Sequence, residues 1–122
     1  MKVKRIVANV KADNTEEAKV FYEPVFSLDL VMDLGWIKTF SAGDEMPVEI
    51  SVASEGGSGT PVPDISIEVD DIDEVIRRVN LYNFKIEYGP VSEPWGVRRF
   101  YVRDPFGTLV NVLQHSQDPD TL

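Results

Sequence analysis

A helix-capping signal occurs twice in this chain at a spacing of 57 residues: Asn14 stands three residues before Glu17, and Asp71 stands three before Glu74. In each pair the first side chain can accept from a backbone N–H of the helix's first turn while the glutamate reaches back. An amphipathic helix follows both signals. Ala18, Phe21, Tyr22 and Val25 share one face of the first, and Ile72, Val75, Ile76 and Val79 share one face of the second. A short alternating run precedes both, Ile6-Val7-Ala8-Asn9-Val10 and Asp64-Ile65-Ser66-Ile67-Glu68-Val69, with the period of a half-buried strand. Further strand-like runs follow, Leu28 to Leu34, Trp36 to Phe40 and Val48 to Ala53 in the first half, then Lys85 to Val91, Val97 to Val102 and Leu109 to Gln114 in the second. Each half therefore reads β-α-β-β-β, an α+β pattern. Neither half alone buries a sheet face well, which favours two copies packed together.

The run Glu55-Gly56-Gly57-Ser58-Gly59-Thr60-Pro61-Val62-Pro63 is rich in turn residues and reads as the connector. One domain over residues 1–122 results: module one over about 1–54, connector about 55–63, module two about 64–115, and a loose tail over 116–122 with no apolar pattern. At 43% hydrophobic and 27% charged residues the composition is globular. No apolar run approaches the roughly 18 residues of a membrane span, and the start lacks a secretion signal, so the expected location is the cytoplasm with no membrane partner. The absence of cysteine removes disulfide scaffolds, thiolate catalysis and cysteine-based zinc sites. A formal charge of −9 without a basic block disfavours nucleic acid as a partner.

Strand alternation assigns faces. Ile6, Ala8 and Val10, then Val48, Ile50 and Val52, then Ile65, Ile67 and Val69, then Val110 and Val112 form apolar sets suited to packing under helices. The opposite face carries Val7, Asn9, Glu49, Ser51, Asp64, Ser66, Glu68 and Asn111. A polar sheet face is usually a solvent face. The aromatic side chains Trp36 and Phe40, on one face of the third strand, and Trp95 and Tyr101, flanking a late strand, suit the walls of a pocket as well as an ordinary core.

The double β-α-β-β-β layout resembles the glyoxalase/bleomycin-resistance (vicinal oxygen chelate) superfamily. So do the segments Ala18-Lys19-Val20-Phe21-Tyr22, Ile65-Ser66-Ile67-Glu68-Val69-Asp70-Asp71-Ile72-Asp73 and Phe100-Tyr101-Val102-Arg103-Asp104-Pro105-Phe106-Gly107. The last of these is the most specific, and its Asp-Pro-Phe-Gly suits a tight turn. The resemblance implies two tandem βαβββ modules forming a curved, incompletely closed mixed β-barrel with helices outside, a ligand in its interior, and a homodimer. Many members hold a divalent metal through His, Glu or Gln side chains on the first and last strands of each module.

Carried over residue by residue, that ligand pattern falls near Val7, Glu49, Asp64 and Asn111, with Val7 and Asp64 again 57 apart. Only two of these are carboxylates, valine cannot ligate, and the single histidine, His115, lies beyond them. The reading is a site without a metal, similar to the metal-free, bleomycin-resistance-like members; Glu49, Asp64 and Asn111 with waters form the minor alternative, a hard divalent cation site. Arg98 and Arg99, in Trp95-Gly96-Val97-Arg98-Arg99-Phe100, resemble a late-strand pattern of metal-free members, with one of the two placed to orient a ligand oxygen or neutralise Glu49 or Asp64, and Arg99 shares strand parity with Tyr101. Candidate ligand-binding residues are Val7, Asn9, Trp36, Phe40, Glu49, Ser51, Asp64, Trp95, Arg99, Tyr101 and Asn111. The favoured function is sequestration of a small organic molecule, cationic or planar in the manner of an antibiotic. The alternative is an enzyme of lyase, isomerase or dioxygenase type using a divergent metal site or Glu49 or Asp64 as general base, which requires burial of that carboxylate.

Overall fold

The computed structural model describes residues 1–42 and 49–116. The elements are β1 (Val3–Lys11), a 3-10 turn (Thr15–Ala18), α1 (Lys19–Phe26), β2 (Asp29–Asp33), β3 (Ile37–Ser41), β4 (Glu49–Ala53), β5 (Ile65–Val69), α2 (Ile72–Leu81), β6 (Ile86–Glu93), β7 (Val97–Arg103) and β8 (Leu109–His115). This is the β-α-β-β-β pattern twice, with strand edges within a few residues of those expected. Val48 and the expected tail beyond Ser116 lie outside the described residues. No helix among the described residues is long and apolar enough to cross a membrane.

Two units form. The first comprises Val7–Asp64; the second comprises Met1–Ile6 and the chain from Ile65 onward. In the first, the strand order is β2-β3-β4-β1, with β1 parallel to β4 and the other pairs antiparallel. In the second it is β1-β5-β8-β7-β6, with β5 parallel to β8 and β8-β7-β6 antiparallel. Among the described residues, neither β2 nor β6 has a second strand neighbour. The division falls inside β1 because its start binds the second unit: the Asp70 N–H donates to the Lys2 carbonyl at 3.0 Å, and Arg5 pairs with Glu68.

The second unit's core is as its pattern predicts. Val69, Ile72, Phe100, Val110 and Val112 are buried, with Ile65, Ile67, Val75, Ile76, Val79, Ile86 and Val102 packed against them. The Asp71 carboxylate caps α2 by accepting from the Glu74 N–H at 3.2 Å. The first unit departs from expectation. Asn14 caps the 3-10 turn, accepting from the Glu16 N–H at 3.0 Å, and the α-helix proper begins only at Lys19. With eight residues and Pro24 inside it, α1 sends only Tyr22 into the core, beside Ala18, Phe40, Val52, Leu28, Leu30 and Ile50. Phe21 and Val25, expected inward, are exposed, and so are Ile6 and Val10 on β1. The connector is an ordered turn: the Thr60 hydroxyl donates to the Gly57 carbonyl at 2.7 Å, and the Gly56 N–H donates to the Thr60 carbonyl at 2.7 Å.

Glu68 ties three strands together. It pairs with Arg5 on β1 and, at 2.7 Å, with His115 on β8, while Lys4 stands 3.8 Å away. Burial pushes its carboxyl up, but the hydrogen bonds from His115 and Arg5 outweigh this and hold it below the ordinary value of 4.5. A depressed folded-state value means the contribution is complete above 4.5 and is lost as pH falls through the lowered value. Glu68→Gln is therefore expected to flatten the acid side of a Tm-against-pH curve; an unchanged acid side contradicts this. Phe40 and Phe100 are fully buried, one in each core, so alanine at either is expected to cost about 3–5 kcal/mol in urea unfolding. Alanine at exposed Phe106 should stay within about 0.5 kcal/mol.

Candidate functional site

Residues directly opposite one another on paired strands project to the same side of a sheet. On the face turned away from the helix, the first unit therefore sets Asn9, Ser51 and Thr39 in one row across β1, β4 and β3. The second unit sets Ser66, Asn111, Tyr101 and Tyr88 in the equivalent row across β5, β8, β7 and β6. The two rows match strand for strand but differ in chemistry. In the first, the buried Thr39 and Ser51 hydroxyls bond to each other at 2.7 Å. In the second, an amide is followed by two phenols.

Arg99, on β7, lies on the same face as Tyr101 and is only 3% exposed. A buried guanidinium needs a partner, and Glu93 at the end of β6 supplies it, at 2.8 Å from Nε and 2.7 Å from Nη2. Three rings enclose the cation: its central carbon lies 5.3 Å from the Tyr88 ring centre, 5.0 Å from Trp95 and 5.0 Å from Tyr101. Tyr88 donates its hydroxyl to Glu93 at 3.0 Å, and Arg99 Nη1 donates to the Tyr101 hydroxyl at 3.1 Å. Local backbone makes this closeness possible. Gly89 has φ +79°, and a Cβ there would stand 2.6 Å from the Arg99 carbonyl oxygen, so only glycine lets β6 approach β7 beside Tyr88. Arg99 thus pairs with Glu93, while Arg98 points to the other side and pairs with Asp73 on α2.

Asn111 is 7% exposed. Its Nδ2 donates to the Ser66 hydroxyl at 3.1 Å, and its Oδ1 is buried with no hydrogen-bond partner among the described residues. Leaving an acceptor in that condition costs about 1–3 kcal/mol, an expense usually found where something else supplies the donor.

The other expected site residues are placed as follows. Val7, Asn9, Trp36, Phe40, Glu49, Ser51 and Asp64 belong to the first unit; Trp95, Arg99, Tyr101 and Asn111 belong to the second. Phe40 is corrected: it stands opposite Ile50 on the helix-covered face and packs against the Tyr22 ring, with ring centres 5.7 Å apart, so it is a core residue and not a pocket wall. Trp36 is half-buried just ahead of β3, where its carbonyl accepts from the Ser54 N–H at 2.9 Å. Glu49 is half-buried and Asp64 exposed, so neither has the enclosure that a desolvated general base requires. The buried carboxylates among the described residues are Glu68 and Glu93, both held by cations.

The family's metal pattern fits poorly here. Register makes Ser51, and not Glu49, the equivalent of Asn111, and Leu109 the equivalent of Glu49. Val7 is a buried valine, and among the described residues no three His, Cys, Asp or Glu side chains are grouped so that they could hold a metal ion. The donor set does not suit a transition metal.

Glu93 and Tyr88 were missed by sequence reasoning. A readable signal existed, since Tyr88, Trp95 and Tyr101 surround an arginine in a short span, but pairing it with Glu93 needs the shifted β6-β7 register.

The family model of the Glyoxalase/Bleomycin resistance protein/Dioxygenase superfamily matches residues 3–112, and the chain belongs to that superfamily. No curated protein matches the sequence. Among solved structures, the chain is similar to a member of this superfamily from Vibrio splendidus 12B01, with 19% identity and a TM-score of 0.60 over 93% of this chain and 99% of that one. It is also similar to methylmalonyl-CoA epimerase from Mycobacterium tuberculosis, with 13% identity and a TM-score of 0.70 over 98% and 93%. A third is a protein described as NAD-dependent benzaldehyde dehydrogenase from Legionella pneumophila, with 13% identity and a TM-score of 0.73 over 92% and 100%. At these identities the likeness is one of fold.

Removing one partner of the Arg99–Glu93 pair strands a buried charge. Arg99→Ala is expected to cost about 3–5 kcal/mol in urea unfolding followed by tryptophan emission, and Arg99→Met with Glu93→Gln markedly less. Equal losses in the single and double variants would show that the pair is not the source.

Proposed function

We propose that the protein binds a small organic molecule without a metal, using the helix-free face of its second module. The supporting observation is Asn111 Oδ1, a buried acceptor with no donor, set in a row with two phenols and beside the ring-enclosed Arg99. An orphan acceptor selects a ligand carrying an N–H or O–H donor, and rings in the same row select a flat or cationic body. The charge of −9 favours the approach of a cation. The reading is therefore sequestration of a cationic or planar, antibiotic-like ligand. The alternative of a lyase, isomerase or dioxygenase type of enzyme working through Glu49 or Asp64 lacks the enclosed carboxylate it needs.

A site kept for binding leaves a signature in stability. Asn111→Leu removes the unsatisfied acceptor, so its Tm is expected to equal or exceed that of the parent, whereas Thr39→Leu, which strands Ser51 in a satisfied pair, should lower it. Metal-free bleomycin is a suitable probe, being cationic and carrying planar rings. Saturable quenching of tryptophan emission in the parent, weakened about tenfold or more in Asn111→Leu, is the expected result. Equal affinity in both, together with a lowered Tm for Asn111→Leu, would sink the reading.

A further inference from the structure

We propose that His115 is a phosphoryl acceptor: its Nε2 takes a phosphoryl group from a small acyl phosphate, while Glu68 orients the ring and Lys4 and Arg5 attract the anion. The proposal is independent of the ligand reading.

Strand pairing gives the single histidine of the chain a partner. His115 ends β8, and Glu68 lies on the neighbouring β5 in the same unit. Nδ1 of His115 stands 2.7 Å from Oε2 of Glu68, a residue only 7% exposed. The carboxyl of Glu68 is held below 4.5, so at neutral pH it is ionised and can only accept. Nδ1 therefore carries the hydrogen. In the neutral ring that leaves the lone pair on Nε2, which no hydrogen bond among the described residues engages. The side chain is 48% exposed, so an electrophile in solution can reach it. One buried carboxylate thus fixes both the tautomer and the orientation of a nucleophile.

The charges around the dyad select the electrophile. Arg5 pairs with Oε1 of Glu68, and the Lys4 ammonium stands 3.8 Å from Oε2, the oxygen that holds His115. Two cations around one carboxylate leave a positive excess beside a neutral imidazole, in a chain whose formal charge is −9. Asp70, two residues beyond Glu68, is engaged by the Lys2 N–H at 2.6 Å. A phosphoryl donor carries its charge on the oxygens of the group to be transferred, which an ammonium and a guanidinium attract. The same cations repel a metal ion, which sets the ring apart from a metal ligand. His115 is four residues from Asn111 along β8, about 13 Å at the rise of a strand, and so stands away from the proposed ligand row.

The step needs no further reactant. Nε2 attacks phosphorus, and the N–P bond forms as the P–O bond to the acyl group breaks. The acyl carboxylate leaves with the electron pair. Nδ1 keeps its hydrogen, so the phosphorylated ring is cationic and remains bonded to the Glu68 carboxylate, which stabilises it.

Acetyl phosphate added to the full chain, followed by intact mass, tests this. The parent is expected to gain one phosphoryl group, stable in alkali and lost in acid as N–P bonds are, and His115→Gln to gain none. Glu68→Gln, with its fold checked by circular dichroism, should slow the gain about tenfold or more and move the proton off Nδ1 in the nitrogen NMR spectrum of the histidine. Lys4→Gln should raise the acetyl phosphate concentration that gives half the maximal rate and spare the maximal rate itself. A parent that gains nothing, a gain that persists in His115→Gln, or equal rates in the parent and folded Glu68→Gln would overturn the proposal. So would a parent histidine protonated at Nε2 and not Nδ1, a result that needs no variant. An unchanged half-saturation in Lys4→Gln would overturn the role of the ammonium.

Discussion

Parallel strands cannot be joined by a tight turn, so the pairing of β1 with β4 and of β5 with β8 requires a long crossover in each module, which here consists of a helix and two strands. The remaining features follow from that pairing. It fixes which residues share a row, leaving Asn9, Ser51 and Thr39 together in one module and Ser66, Asn111 and Tyr101 together in the other. It also forces one face of each sheet toward the helix and leaves the other to carry polar chemistry.

On that common frame the modules have diverged in opposite directions. The second invests in a deep core under α2, and its helix-free face holds a buried ion pair, three rings and an amide with an unused oxygen. The first closes its own row with a Thr39–Ser51 hydrogen bond and packs lightly under a short helix. Its buried cation, Lys38, reaches outward to Asp33 and Glu16, at 2.8 and 2.9 Å, and so anchors the 3-10 turn and β2 to β3. The carboxyl of Asp33 is held below its ordinary value, chiefly by the Lys38 hydrogen bond and then by the Gly35 N–H. One module keeps buried polar and aromatic groups on its helix-free face; the other uses its buried cation to fix its own loops.

Much of this was legible in advance. The spacing of Asn14 and Asp71, and the alternation through Ile65-Ser66-Ile67-Glu68-Val69, suffice for the order of elements and for the face on which Ser66 and Asn111 lie. The stripe of α2 was equally plain, because Ile72, Val75, Ile76 and Val79 have only the terminal Leu81 as an apolar rival on the other side of the helix. In α1 apolar residues occur all round, so periodicity could not tell that Tyr22 faces in and that Phe21 and Val25 face out. Phe40 was misplaced for a related reason. An aromatic residue on a strand suits either face, and only its position opposite Ile50 decides. The Arg99–Glu93 pair was beyond sequence reasoning because it depends on the irregular register of β6 against β7 around Gly89.

The proposed role of the second-module face is to bind an organic ligand through Asn111 and its neighbours, with no metal between protein and ligand. Native mass spectrometry with elemental analysis, on protein purified without chelators, addresses this most directly. The account predicts a chain mass free of stoichiometric metal, with any retained adduct having the mass of an organic molecule and being absent from Asn111→Leu. One divalent transition-metal ion per chain would contradict it and return the site to metal-assisted chemistry.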